Sequence, residues 1–169
     1  DSLLAKLKSY RDFGRLSSGN DMHKSIGLNM KYTDLQASIL IPQIDRLEKI
    51  SEIKKKNFLK IRNNIRSKYL KINENDLNWT TPWFYEVITP FRDQLIEFLK
   101  DKKVATRVMY PELNTQEAFS SHHQHKFTFI NSNKISNQGL WIPSHPKLKE
   151  DEVEFIINSL NQFVPENEN

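Results

Sequence analysis

Between Asp21 and Lys49 the chain reads DMHKSIGLNMKYTDLQASILIPQIDRLEK, and the residues there whose types could do chemistry are Gly27 and Asn29. Gly27 permits a positive φ or a close backbone approach, and Asn29 is a compact donor and acceptor that tolerates turn geometry. That pairing suits an anion, although the same two residues also serve as plain turn formers. Other groups carry less. His122, His123 and His125 fall in a polar loop without further ligands at fixed spacing, so a solvated loop is expected there and not a metal site. Ser121 and His123 with an aspartate make a nucleophilic triad only on paper, because no strained turn or oxyanion motif accompanies them. Four glycines in the whole chain are too few for a glycine-rich phosphate loop of the usual spacing.

The elements that must position the Gly27–Asn29 loop follow from pattern. Leu3, Leu4 and Leu7, with Lys6 and Lys8 between them, are spaced for a short helix over Asp1–Tyr10, followed by a polar loop through Asn20. Thr33 followed by Gln36 is a capping box, so a helix starts at Asp34 and presents Leu35, Ile39, Ile44, Leu47, Ile50 and Ile53 towards Lys68. Pro42 removes a backbone hydrogen bond and meets the carbonyl of Ser38, which predicts a kink or break near Ser38. Farther on, Trp79–Thr89 reads as a strand with Trp83, Tyr85 and Val87 on one face. Thr89-Pro90 starts a helix with Phe91, Leu95, Phe98 and Leu99 on its apolar side, and Val104–Tyr110 returns as a short strand. Periodicity fades from Pro111 to Pro146 except at Gly139–Pro143, a buried short strand. Val153, Ile156, Ile157, Leu160 and Phe163 mark a final helix opened by Glu150, Asp151 and Glu152. The expected organisation is residues 1–32 as the end of a larger region together with a ligand-facing loop, 33–70 as a long connecting helix kinked near Pro42, and 71–169 as a small α+β domain.

Composition bounds the rest. In 169 residues, 37% hydrophobic and 27% charged composition is ordinary for a globular chain with one core. The absence of cysteine rules out a disulfide framework and a thiolate nucleophile, and it fits a reducing, cytoplasmic setting. No apolar run approaches the roughly 20 residues needed to span a bilayer, so no membrane partner is expected. The net charge of +4 invites a nucleic-acid reading, but much of it sits on Lys54, Lys55, Lys56, Lys60, Arg62, Arg66 and Lys68 of one amphipathic helix. Aromatic residues are mostly missing from that basic face, which favours a solvated surface over a nucleic-acid platform.

The order of short motifs is more specific than any one of them. Arg11-Asp12-Phe13-Gly14, then Asp21-x-His23-x-x-Ile26-Gly27-x-Asn29-x-Lys31, Thr33-Asp34-x-Gln36-Ala37 and Gln43-x-x-Arg46-Leu47 come first. Downstream stand Trp83-x-Tyr85, Thr106-Arg107-x-x-Tyr110-Pro111-x-Leu113, Ile135-Ser136-x-x-Gly139-Leu140 and Pro143-Ser144-x-Pro146. In this order the sequence resembles the carboxy-terminal part of the DegT/StrS-type nucleotide-sugar aminotransferases, of the perosamine synthetase-like kind. The resemblance implies the α+β small domain of an aspartate-aminotransferase-like, fold type I enzyme: a long interdomain helix and a small antiparallel sheet with helices on one face. It also implies pyridoxal 5'-phosphate as cofactor, a keto-sugar nucleotide and an amino-acid donor as substrates, and a homodimer in which two subunits build each site.

Carried over residue by residue, the resemblance makes Asn29 the group that reaches across the dimer to the cofactor phosphate. It places His23, Lys31 and Arg107 near the substrate. Lys31 stands where the family usually has arginine, which keeps the charge and loses the planar fork. Asn114 replaces a common histidine, and Asn133 a frequent glutamate. No lysine here matches the family's Schiff-base motif, which lies upstream of the resembled stretch, so no catalytic residue is expected in this chain and the chain alone is expected to be inactive. The competing expectations are a non-catalytic remnant that oligomerises or binds a partner, and a basic nucleic-acid module. Missing large-domain contacts would leave Leu35, Ile39, Ile44 and Leu47 uncovered, which predicts self-association.

Overall fold

A computed structural model describes residues 2–15, 17, 22–116 and 129–166. The chain forms two compact units, Asp1–Glu48 and Lys49–Asn169. His122, His123, His125 and Ser121 lie outside the described residues. No helix is long and apolar enough to cross a membrane, among the described residues.

The first unit holds helix α1 (Ser2–Arg11) and helix α2 (Asp34–Asp45). The capping box at the start of α2 forms as the sequence specifies: Gln36 N donates to Thr33 Oγ1 at 3.2 Å, and Thr33 N donates to Gln36 Oε1 at 2.9 Å. Satisfying two otherwise orphaned amides fixes where α2 begins. The helix does not break near Ser38. The helix runs through Pro42 to Asp45 and breaks at Arg46, before helix α3 (Leu47–Asn64). Ser38 Oγ donates back to the Leu35 carbonyl at 2.8 Å, so the turn before Pro42 stays closed.

The second unit is an antiparallel sheet backed by helices. Strands β1 (Lys71–Ile72), β2 (Tyr85–Ile88), β3 (Arg107–Val108) and β4 (Gly139–Ile142) are ordered β1-β2-β4-β3. Alternation along β2 sends Tyr85 and Val87 to one face, and β4 adds Leu140 and Ile142 there. Against that face pack Phe58 and Ile61 of α3, Leu95 and Leu99 of helix α4 (Arg92–Asp101), and Val153, Ile156, Ile157 and Leu160 of helix α6 (Glu150–Asn161). The α4 and α6 stripes and the buried β4 are those the sequence predicted. The fold is the expected α+β arrangement with helices on one face.

The differences have local causes. The strand expected over Trp79–Thr89 pairs only from Tyr85, because Asp76 folds the residues before it: its carbonyl accepts from Trp79 N and Thr80 N. Trp83 therefore sits outside the ladder and is 79% exposed. The strand expected over Val104–Tyr110 pairs only at Arg107 and Val108. Helix α5 (Ile130–Gln138) falls in the stretch read as irregular, and it buries none of its residues. Helix α3 stops at Asn64, short of Lys68, where Asn161 of α6 takes over its end: Asn161 Nδ2 donates to the Asn64 carbonyl at 2.9 Å, and Arg66 N donates to Asn161 Oδ1 at 2.7 Å. Replacing Asn161→Ala removes both bonds and is expected to cost about 1 to 2 kcal/mol in urea unfolding.

Charge joins α3 to α6 as well. Lys60 Nζ lies 2.9 Å from both Glu150 Oε1 and Glu154 Oε1. The bond to Lys60 holds the Glu150 carboxyl below its usual range, and the bonds to Glu150 and Glu154 hold the Lys60 ammonium above its own. A lowered carboxyl adds stability above its unfolded value and loses it as pH falls through the folded one. A raised ammonium adds stability below its unfolded value and loses it as pH rises through the folded one. The tie is thus complete at neutral pH and fades on both sides. Because these groups meet solvent, the stability gain at neutral pH should shrink in high salt, as melting with and without 1 M salt would show at about the 3 Å screening length.

Candidate functional site

The loop that carries the predicted anion-binding residues is pinned by backbone pairing. Asp12 pairs with Asn29, and Arg15 with His23, both antiparallel. Phe13 N donates to the Leu28 carbonyl, Leu28 N to the Tyr10 carbonyl and Met30 N to the Arg11 carbonyl. These bonds leave the Asn29 side chain exposed on a fixed backbone. Gly27 makes the pairing sterically feasible. A Cβ there would overlap Gly14 N and lie 2.5 Å from the Phe13 carbonyl carbon, so of the two properties expected of Gly27 it is the close approach that the fold uses. The positive φ falls instead at Phe13 (56°) and Gly14 (80°).

Charge is concentrated around Asp12. Its Oδ1 lies 2.7 Å from Lys31 Nζ and also accepts from Arg15 Nη2 and Nε. Lys31 first, then Arg15, holds the Asp12 carboxyl below the usual carboxylate range. Both cations also stand over the Phe13 ring, at 5.8 and 5.4 Å from its centre. His23 Nδ1 donates to the Phe13 carbonyl at 2.7 Å, which fixes that nitrogen as the protonated one. His23, Asn29 and Lys31 are thereby brought together around the Asp12–Arg15 turn. Two cations thus share the one Asp12 carboxylate. Because the Asp12 pKa is lowered, its contribution is present above the ordinary carboxylate range and lost as pH falls through the lowered value. Protection of the Phe13 and Met30 amides, relative to their intrinsic exchange at the same pH, should therefore fall in acid, and Asp12→Asn should show that lower protection already at neutral pH.

Arg107 belongs to the second unit and was the fourth predicted site residue. It stands 5.5 Å from the ring centres of both Tyr110 and Trp141, on the sheet face opposite the helices. Trp141 stacks on Phe84 at 4.4 Å and meets Tyr110 edge-on at 5.0 Å. Beside this aromatic group opens a cavity of about 440 Å³, lined among others by Lys54, Trp83, Arg107 and Ser144. Arg107 is a residue that the motif order singles out, whereas Lys54 lies in a run of basic helix residues that hides it. Lys54 Nζ donates to the Trp83 carbonyl at 2.6 Å, and burial pushes its pKa down. Asn133, one of the three departures from the resembled pattern, donates to Glu112 Oε1 at 2.8 Å. Among the described residues no group of three or more acidic or histidine side chains could hold a metal ion.

With this geometry in place, comparison with known proteins is decisive. The sequence pattern of the DegT/DnrJ/EryC1/StrS aminotransferase family matches residues 1–161. The chain belongs to this family. Among curated relatives of this DegT/DnrJ/EryC1/StrS chain, the lipopolysaccharide biosynthesis protein RfbH of Salmonella typhimurium is 25% identical over 166 residues, covering 90% of this chain and 38% of the relative. The GDP-perosamine synthase of Vibrio cholerae is 24% identical over 169 residues, covering 96% of this chain and 46% of the relative. Among solved structures, S. venezuelae DesV superposes with a TM-score of 0.83 at 18% identity, covering 96% of this chain and 45% of that one. The DegT/DnrJ/EryC1/StrS chain therefore spans under half the length of these relatives.

Proposed function

We propose that this chain is the carboxy-terminal part of a pyridoxal-phosphate-dependent aminotransferase that moves an amino group from an amino-acid donor to a keto-sugar nucleotide. The observation that carries the proposal is the Asn29 amide, exposed on a backbone locked to Asp12 within a family-matched chain. The fit to the cofactor is chemical: a neutral N–H donor beside a turn with two cations on one carboxylate suits a phosphate dianion. When bound, the cofactor supplies the carbonyl that carries nitrogen between donor and acceptor.

The residues of this chain bind and orient. Asn29 donates a hydrogen bond to the cofactor phosphate of a neighbouring subunit. Lys31, held by Asp12, adds positive charge without a bidentate fork. His23, with Nδ1 committed to Phe13, offers Nε2 to the substrate. Arg107, standing against Trp141, binds an acidic group of the substrate or donor. The covalent lysine is supplied by the segment that precedes the matched region in the family. The test is amino transfer from glutamate to a keto-sugar nucleotide by the longer polypeptide that includes that segment, measured as glutamate-dependent amino-sugar formation. Absence of amino transfer with every keto-sugar nucleotide offered would overturn the reading.

Self-association belongs to the same proposal. None of the residues of α2 is buried, and Leu35, Ile39, Ile44 and Leu47 are each more than half exposed, a stripe that a stable soluble assembly covers. Light scattering at micromolar concentration should give at least a dimer mass. Leu35→Asp with Ile39→Asp should lower it, and a wild-type monomer would contradict the prediction.

A further inference from the structure

Phe13 stands in a conformation that its residue type resists. Its φ of 56° and the 80° of Gly14 put both central residues of the Asp12–Arg15 turn in the left-handed region, where Arg15 N donates to the Asp12 carbonyl at 2.9 Å. Such turns favour glycine, asparagine and aspartate, and a bulky side chain there is strained. Among the described residues one other non-glycine has a positive φ, Lys103, and its reason is ordinary. It follows α4 and closes that helix, with Val104 N donating to the Leu99 carbonyl at 2.9 Å. Phe13 closes no helix, yet its strain is held firmly. Phe13 N donates to the Leu28 carbonyl at 3.2 Å, the Phe13 carbonyl accepts from His23 Nδ1 at 2.7 Å, and Gly27 lies directly against that carbonyl carbon. Strain that is over-determined in this way points to a use for the side chain. What phenylalanine adds over glycine or asparagine is a ring, and two cations stand over it within the roughly 6 Å of such contacts, Lys31 Nζ at 5.8 Å and Arg15 Cζ at 5.4 Å.

We infer that Phe13 is a positioning residue of the Asn29 loop: its ring and the Asp12 carboxylate together hold the Lys31 ammonium in place for the phosphate that Asn29 meets. A lysine ammonium ends a flexible four-carbon stem, and fixing it at the moment of binding costs rotamer freedom. Lys31 is fixed beforehand, by a carboxylate oxygen at 2.7 Å and by an aromatic face. The two holds differ in kind. A carboxylate cancels the charge that it attracts, whereas a ring face attracts a cation through its quadrupole and leaves the net charge in place. The inference rests on the cofactor reading of Asn29 and deepens it by naming the group that prepares the neighbouring charge.

Three variants separate the ring from the strain: Phe13→Leu keeps the strain and loses the ring, Phe13→Tyr keeps both, and Phe13→Gly loses both. Trace acetylation of the 169-residue chain, read by mass spectrometry, reports how firmly Lys31 is held, with the exposed Lys24 as internal reference. Lys31 should be acetylated about threefold faster in Phe13→Leu and Phe13→Gly, and as in wild type in Phe13→Tyr. Hydrogen exchange should find the Leu28 and Met30 amides of Phe13→Gly protected as in wild type or better, because glycine relieves the strained φ. Titration of the longer polypeptide with pyridoxal 5'-phosphate should show binding about threefold weaker in Phe13→Leu and Phe13→Gly, with Phe13→Tyr like wild type. Four results overturn the inference: unchanged Lys31 acetylation in Phe13→Leu, Phe13→Tyr behaving like Phe13→Leu, lost Leu28 and Met30 protection in Phe13→Gly, which would make the role of Phe13 structural, or equal cofactor affinity of wild type and Phe13→Leu. A wild-type polypeptide that does not bind the cofactor is a separate failure: it overturns the assignment of Asn29, and acetylation still decides whether Phe13 holds Lys31.

Discussion

Gly27→Val is expected to dismantle the Asn29 loop while leaving the 49–169 unit folded. At Gly27 a Cβ would occupy the space of the Gly14 amide and approach the Phe13 carbonyl carbon to 2.5 Å, and both obstacles are backbone. No rotamer change relieves a clash with backbone, so the two paired segments must separate. Separation breaks the bonds from Phe13 N to Leu28 and from Met30 N to Arg11, and it pulls Asp12 away from Lys31. Hydrogen exchange should show the amides of Phe13, Leu28 and Met30 losing protection, by about tenfold or more for each 1.4 kcal/mol of pairing lost. The amides of β2 and β4 should exchange as in wild type. Equal protection at Leu28 in both proteins would mean that the Asp12–Asn29 pairing does not set the loop.

The second large effect is on stability. Phe58 is fully buried, tilted against the Tyr85 ring with centres 5.8 Å apart, and lies at the meeting of α3 and the sheet. Phe58→Ala combines lost transfer energy with a cavity that the surrounding strands cannot close, and should cost about 3 to 5 kcal/mol. Against the roughly 5 to 15 kcal/mol that holds a domain of this size, that change brings the 49–169 unit near its unfolding threshold at 37 °C. Tyr85 contributes a polar anchor to the same spot, since its hydroxyl donates to the Lys54 carbonyl at 2.9 Å and its pKa is pushed up by burial. Tyr85→Phe should therefore cost only about 1 kcal/mol, and the contrast between the two variants in urea separates packing from hydrogen bonding.

What the sequence made legible was what depends on neighbours along the chain. The capping box at Thr33 and Gln36, the α6 stripe and the Leu95 and Leu99 face of α4 each follow from spacing alone, and each forms as spacing dictates. Gly139–Ile142 was recognisable because it is apolar at every position, as a strand covered on both faces must be. What stayed hidden depends on distant partners. The end of α3 at Asn64 is fixed by Asn161, 97 positions away, and the placement of the Trp83 backbone by Lys54 and Ser144. Helix α5 is rich in asparagine and serine, which favour turns, and Arg92 steadies it from across the fold by donating to the Ser136 carbonyl. Of the candidate site residues, His23, Asn29 and Lys31 are singled out by the order of motifs. Asp12, which ties Lys31 and Arg15 together, is one letter in a short motif, and only the backbone pairing places it opposite Asn29. Lys54 is one of seven basic residues, and its bond to the Trp83 carbonyl and its burial set it apart.

The Asn29 amide is expected to meet the phosphate of the cofactor. The direct measurement is titration of the longer polypeptide with pyridoxal 5'-phosphate, followed by the visible absorbance of the bound cofactor, for wild type, Asn29→Ala and Asn29→Gln. A lost hydrogen bond to a charged group predicts cofactor affinity about tenfold weaker or more for Asn29→Ala, with the same melting profile for the 49–169 unit. Equal affinity of all three proteins for the cofactor would contradict the assignment of Asn29.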